Sequence, residues 1–180
     1  VAGIIAPPFN FKSSFPKGNI TENKKTSSAK DSIPLLDGFA KKLEGEIIFC
    51  HQDNLNTDGI YPGKYTYIDD FTPKQQAEVV MENYDMEFGK LVSVGDLLVG
   101  GYNFGSGSSR EQAATALKYR GIKLVLAGSF SETYKRNAIN NGFLVLEAPE
   151  LVKDLKENLG TEKLTNKTGI EATINFTTST

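Results

Sequence analysis

From residue 43 onward, the apolar positions fall into short runs separated by polar, glycine-rich or proline-rich breaks. Four runs are nearly continuous and apolar, the pattern of strands buried on both faces. They are Glu46–Cys50, Asp96–Gly100, Lys123–Ala127 and Phe143–Leu146. Between them the spacing turns helical. Pro73–Tyr84 carries Ala77, Val80 and Met81 behind a first-turn proline. Arg110–Tyr119 carries Ala113, Ala114, Ala116 and Leu117 and stops at Gly121. Glu132–Ile139 stops at Asn140-Asn141-Gly142, and Leu151–Leu159 forms a last, polar-faced helix. Ile170–Phe176 alternates, as an edge strand or hairpin partner does. Asp53–Tyr67, with Gly59 and Pro62-Gly63, reads as a loop. Strand, helix, strand, helix, strand from 96 to 146 makes two βαβ units. These imply an α/β fold with a mostly parallel sheet, flanking helices and right-handed crossovers.

Residues 1–44 differ. Pro7-Pro8, Pro16-Lys17-Gly18 and the Lys- and Ser-rich stretch from Thr21 to Ser32 lack either period. They read as a linker or an arm laid on another domain, with Leu35-Leu36 and Phe39 closing it. The expected division is an arm over 1–44 and a folded domain over 45–180. The chain opens at Val1 without a cationic region followed by an apolar one, so it reads as a processed or excised piece and not as a signal peptide.

Composition narrows the function classes. The 180 residues are 39% hydrophobic and 23% charged, enough for one domain with a core. A net charge of -2 provides no positive field for nucleic acid or an anionic membrane. No apolar run approaches the roughly 20 residues that span a bilayer. The single cysteine, Cys50, forms no internal disulfide and holds no iron–sulfur cluster, which takes several thiolates. At the end of a strand it reads as a small buried hydrophobe. The lone His51 is a weak metal or catalytic candidate.

The chemistry points to Gly100–Glu111, Gly-Gly-Tyr-Asn-Phe-Gly-Ser-Gly-Ser-Ser-Arg-Glu, which leaves a strand and enters a helix. Gly105 and Gly107 permit positive φ and close backbone approach. Free N–H groups and the helix dipole favour an anion there, and Arg110 adds a planar fork for a carboxylate. A P-loop would need Gly-Lys-Ser/Thr, but Ser108 follows Gly107. A dinucleotide fingerprint would need glycine where Arg110 stands. A purely structural reading also exists: Ser108-Ser109-Arg110-Glu111 has the form of a capping box, with Ser108 capping and Glu111 reaching back.

The run Asn103–Glu111 resembles the swivelling β/β/α domain, or small subunit, of the aconitase superfamily. So do Ser129-Phe130, Arg136-Asn137, Ile139–Gly142 and the upstream Asp53–Tyr65. The similarity covers roughly residues 45–147 in three ordered blocks. Within the superfamily, Gly63-Lys64-Tyr65-Thr66-Tyr67 and Gln112-Ala113-Ala114 look most like the fungal homoaconitases.

The resemblance implies part of a hydro-lyase of lysine biosynthesis, the α-aminoadipate route. That enzyme interconverts homocitrate, cis-homoaconitate and homoisocitrate. It implies a [4Fe–4S] cluster on larger catalytic domains outside this chain, where it acts as Lewis acid on the substrate hydroxyl. It implies Ser108 as the base and Asp58 as support for proton handling. Ser109 and Arg110, with Gly107 in the turn, bind a substrate carboxylate. Partners are then the cluster-bearing domains and a tricarboxylate, and the compartment is the mitochondrial matrix. In the family an arginine commonly follows the Pro-Gly loop. Tyr67 stands there here, so Lys64, Tyr65 and Tyr67 are expected to read the longer substrate chain, or the tyrosines only to pack the loop. The cluster cysteines are absent, so the chain alone is expected to be inactive. The alternatives are the small subunit of an isopropylmalate isomerase and, in another class, a non-catalytic anion- or RNA-binding module.

Overall fold

The computed structural model describes Leu35 and residues 37–177. Most of the arm expected over 1–44 lies outside the described residues. The four expected apolar runs form strands β1 (Lys42–Cys50), β2 (Leu97–Gly100), β3 (Leu124–Ala127) and β4 (Leu144–Glu147). They pair in parallel in chain order, and β5 (Thr165–Asn175) closes the other side of β1 antiparallel, giving the order β4-β3-β2-β1-β5. Parallel neighbours need crossovers, supplied by α4 (Gln112–Tyr119) and α5 (Glu132–Asn140).

Both faces of the sheet are covered, which explains the continuous apolar runs. Ile48, Cys50, Leu98, Val125 and Ala127 point into one core layer with Ala113, Ala114, Ala116 and Leu117 of α4. Ile47, Phe49, Leu97, Val99, Leu124 and Leu126 point into the other, under Val152 and Leu155 of α6 (Pro149–Leu159). Cys50 is buried as expected, and loss of hydration raises its thiol pKa to about 12.

Several boundaries move. β1 starts four residues before the expected Glu46, and β5 five residues before Ile170. Before Ile47 β1 pairs only with the edge strand β5, and both extensions mix polar and half-buried residues that leave no apolar period. Helix α2 spans Pro73–Val79 and stops well short of Tyr84, because Met81 takes φ +64° and turns the chain inward. The expected loop 53–67 contains a one-turn helix α1 (Thr57–Ile60) and a 3₁₀ turn at Gly63–Tyr65, and a further short helix, α3, spans Phe88–Leu91. Single turns among glycine and proline carry no periodic signal.

The capping box is not formed. Helix α4 begins at Gln112, and Glu111 occupies its N-cap position without a side-chain cap. The Glu111 carboxylate instead accepts a hydrogen bond from Asn141, and the Ser108 hydroxyl bonds Thr57. Long-range partners took both side chains that the local pattern assigned to each other. The stops at Gly121 and at Asn141-Gly142 are as expected, with both glycines at positive φ.

Candidate active site

The glycine-rich turn leaves β2 at Gly100 and lies between two neighbouring loops at the carboxyl ends of the strands. On one side Asn54 N–H donates to Tyr102 O, Gly105 N–H to Leu55 O and Thr57 N–H to Ser106 O, at 2.7–2.8 Å. These bonds continue the β1–β2 pairing past the strand ends. On the other side Phe104 N–H donates to Ser129 O, and Ser131 N–H and Oγ donate to Phe104 O and Gly105 O. The turn is therefore a fixed shelf at the strand ends where open α/β sheets place their ligands.

Ser108 and Arg110 project from this shelf toward α1, each onto one of two consecutive residues. Ser108 Oγ lies 2.9 Å from Thr57 Oγ1. Arg110 Nη1 donates to Asp58 Oδ1 at 2.7 Å and to Tyr61 O at 3.3 Å. Asp58 also accepts from Gly63 N–H at 2.9 Å and from the Asn83 amide at 3.0 Å. The Gly63 N–H, and with it Arg110 and Asn83, hold the Asp58 carboxyl below the usual carboxylate range against partial burial. Gly63 packs directly under this pair: a Cβ there would lie 2.9 Å from Arg110 Nη2 and 3.0 Å from Asp58 Oδ1, so a side chain would displace these ends. Thus the upstream loop and the glycine-rich turn, some 50 residues apart in sequence, form one constellation.

The other expected residues are placed as follows. Gly107 takes φ +94°, and a Cβ there would make only ordinary contacts, with Asn56 Cβ at 3.6 Å and Thr57 Oγ1 at 3.8 Å. Ser109 is exposed, and its carbonyl accepts from Asn137. Lys64 and Tyr65 both bond Glu82, at 2.7 and 3.0 Å. The Lys64–Glu82 hydrogen bond raises the Lys64 pKa and lowers that of Glu82, so both stay charged at neutral pH. Tyr65 stacks on Phe71, whereas Tyr67 is 91% exposed. Arg136 faces solvent on α5. Beside Asp58 opens a polar cleft of about 280 Å³, lined by Gln52, Asn54, Asn56, Asp58, Asn83 and Tyr84. A larger groove of about 660 Å³, with Ala77, Met86, Val94 and Tyr119, lies at the opposite end of the sheet, away from this chemistry.

Sequence reasoning assigns no role to Thr57, Glu82 or Asn83. Glu82 and Asn83 fall inside an expected helix, and Thr57 gives no signal apart from its place before Asp58. Among the described residues no group of three or more His, Cys, Asp or Glu side chains could hold a metal ion. Cys50, the chain's one cysteine, is fully buried and 3.9 Å from Thr165 Oγ1. The residues present do not fit an iron–sulfur cluster, which needs several accessible thiolates. Among the described residues no helix is long and apolar enough to cross a membrane.

Comparison with known proteins shows the family. The chain matches the family model of the aconitase C-terminal domain over residues 16–151. It is 53% identical over 145 residues to the mitochondrial homoaconitase of Candida albicans, covering 80% of this chain and 21% of that protein. It is 58% identical over 137 residues to that of Chaetomium globosum, covering 76% and 17%. The chain thus spans about a fifth of the length of these curated relatives. Among solved structures it resembles a 3-isopropylmalate dehydratase from Methanocaldococcus jannaschii. There the TM-score is 0.61 and the identity 37%, over 74% of this chain and 71% of that one. The match over most of the chain places this protein in the aconitase C-terminal domain family.

Proposed function

We propose that this chain is the swivelling domain of a homoaconitase, a hydro-lyase of lysine biosynthesis in mitochondria, and that it supplies the protein-side half of the active site. The Ser108–Arg110 constellation over α1 is the observation that carries this reading, with the 53–58% identity to homoaconitases supporting it. An elimination of water across a carbon–carbon bond needs a base at the carbon and fixed donors for the substrate carboxylates. Ser108 is the base. Arg110 is the carboxylate clamp, with Ser109 beside it and the Gly107 backbone open to close approach. Its Nη1 bonds Asp58 and Tyr61, which fixes the plane of the guanidinium and leaves Nε and Nη2 as donors for a carboxylate. Asp58 remains ionised and supports proton handling by holding Arg110 in place, not by titrating. The [4Fe–4S] cluster belongs to the rest of the enzyme, since the residues of this chain do not hold it.

Combining this chain with the cluster-bearing domains tests the reading. Hydration of cis-homoaconitate, followed by loss of its conjugated absorbance, is expected from the pair and not from either part. A reconstituted pair that prefers the isopropylmalate-series alkene favours the second reading, a 3-isopropylmalate dehydratase, to which the solved neighbour points. Tricarboxylate binding by this chain alone, with no catalysis on adding the partner, sinks the enzyme reading.

Lys64 and Tyr65 occupy the loop that reads the variable part of the substrate, and Glu82 competes with that substrate for Lys64. In the whole enzyme Glu82→Gln is expected to lower KM about two- to fivefold by freeing a surface cation, an effect the size of an exposed ion pair. Lys64→Ala is expected to raise it. An unchanged KM in both variants removes Lys64 from substrate reading.

A further inference from the structure

We infer that Asn137 and Asn141 are positioning residues for the reaction: their side-chain amides clamp the chain on both sides of Arg110 and hold the carboxylate site in place. The inference rests on the reading of Ser109 and Arg110 as the residues that bind a substrate carboxylate. From Gly107 to Arg110 the chain belongs to no helix or strand. Among the described residues, one hydrogen bond reaches the backbone of Gly107, Ser108 or Ser109: Asn137 Nδ2 donates to Ser109 O at 3.2 Å. Two residues on, Asn141 Nδ2 donates to the Glu111 carboxylate at 2.6 Å. The flanks of Arg110 are thus held from one element.

That element is a firm anchor. Ser131 caps α5 and bonds the same turn at its entry, its N–H to Phe104 O and its hydroxyl to Gly105 O. Tyr134 and Ala138 bury the helix in the core. Positions four apart share a helix face, and Asn141 Nδ2 also donates to Asn137 O at 2.8 Å, which ties the two together. As a helix stop Asn141 needs only its backbone, whose N–H bonds Asn137 O and Ala138 O. The side chain is free for the clamp.

Arg110 is then fixed at both ends. Its tip is held by Asp58 and Tyr61 O. A long side chain fixed only at its tip still swings when its Cα moves, and the clamp stops that movement. The Ser109–Arg110 peptide is trans, so its C=O and N–H point in opposite directions. With Ser109 O turned to Asn137, the Arg110 N–H faces away from it, and no described residue accepts from that N–H. Ordering done before the substrate arrives need not be done on binding, so the clamp acts on affinity.

Variants of the whole enzyme test this: Asn137→Leu, Asn141→Asp, Asn141→Asp with Glu111→Gln, and Asn137→Leu with and without Arg110→Ala. Asn137→Leu keeps the size and removes the amide. It is expected to raise KM, and the Kd of a tricarboxylate analogue, about three- to tenfold, the range of one net hydrogen bond, with kcat within about twofold. A loss of folded protein lowers apparent kcat and leaves KM where it was, so the split separates positioning from folding. Asn141→Asp sets two carboxylates against each other and should raise KM about as much. Adding Glu111→Gln supplies an amide donor to the new carboxylate, restores the bond in the reverse direction and should recover most of the KM. In the Arg110→Ala background Asn137→Leu should add no further rise. Wild-type KM and Kd in Asn137→Leu overturn the inference. So do losses confined to kcat, and a KM in Asn141→Asp that Glu111→Gln fails to restore. Should Asn137→Leu fold poorly, Asn137→Ala removes the same donor and is read the same way. KM and Kd unmoved by Arg110→Ala alone overturn the carboxylate reading itself, and the clamp falls with it.

Discussion

Ser108→Ala in the whole enzyme is expected to reduce kcat by about 10²–10⁴-fold, the usual contribution of a positioned base. Equilibrium binding of a substrate analogue and the melting temperature should scarcely change. The kinetic loss follows from the base assignment. The small stability effect follows from the structure. Ser108 caps no helix, since α4 begins at Gln112, and it is exposed. The change removes one hydroxyl contact, the one to Thr57, and water can reach the vacated position. A net hydrogen bond contributes about 1 kcal/mol, so the stability cost is bounded near that value. Kinetics, binding and thermal unfolding measured on one preparation separate the possibilities. Retained turnover with a marked drop in melting temperature would show Ser108 to be structural.

The sequence alone does not make this separation, and the reason is physical. Local patterns report what neighbours in the chain can do for one another. They indicate four apolar strands, three of them parallel through two βαβ units, the helices between those three and the stops at Gly121 and Asn141-Gly142, because burial on two faces and helix termination are local properties. The capping box is equally local and fails, because Thr57 and Asn141, far away in the chain, bind its two side chains. The same non-locality hides Thr57, Glu82 and Asn83. Each acts through contacts with residues 17 to 51 positions away, and no periodicity encodes that. The Gly-rich turn, Arg110 and Asp58 are legible as a site by residue type and resemblance. Their assembly into one constellation requires the β1–β2 pairing to extend into the loops beyond the strands. Lys64 and Tyr65 are expected to face the substrate, and their shared partner Glu82 shows what the substrate must displace.

The two glycines of the turn look interchangeable in sequence, and they should respond very differently to alanine. Both take positive φ, +75° at Gly105 and +94° at Gly107, where a side chain costs roughly 1–2 kcal/mol. Their surroundings differ. A Cβ on Gly105 would lie 2.3 Å from Tyr134 Cγ, inside any tolerable contact. Tyr134 has no room to retreat. It is fully buried, stacked on Phe130 at 6.0 Å and edge-on to Phe104 at 5.3 Å. Overpacking of this kind adds about 1–3 kcal/mol, so Gly105→Ala is expected to cost roughly 2–5 kcal/mol in all. For a chain of this size that lowers the melting temperature by about 4–20 °C. Gly107→Ala meets Asn56 Cβ at 3.6 Å and Thr57 Oγ1 at 3.8 Å, both ordinary contacts, and should lose the backbone share alone. The comparison is internally controlled. Tyr134→Ala destabilises by itself, but it removes the ring that Gly105→Ala strikes, so the two changes should be less than additive by the overpacking share. Thermal or denaturant unfolding of the single and double variants measures that coupling. Additive losses, or equal losses at the two glycines, would mean that Gly105 does not pack against Tyr134 and that the shelf beneath Ser108 is held in some other way. Unequal losses with the expected coupling would leave Gly105 as the glycine that seats the turn on the core. Gly107 would then be held to glycine by its backbone conformation alone.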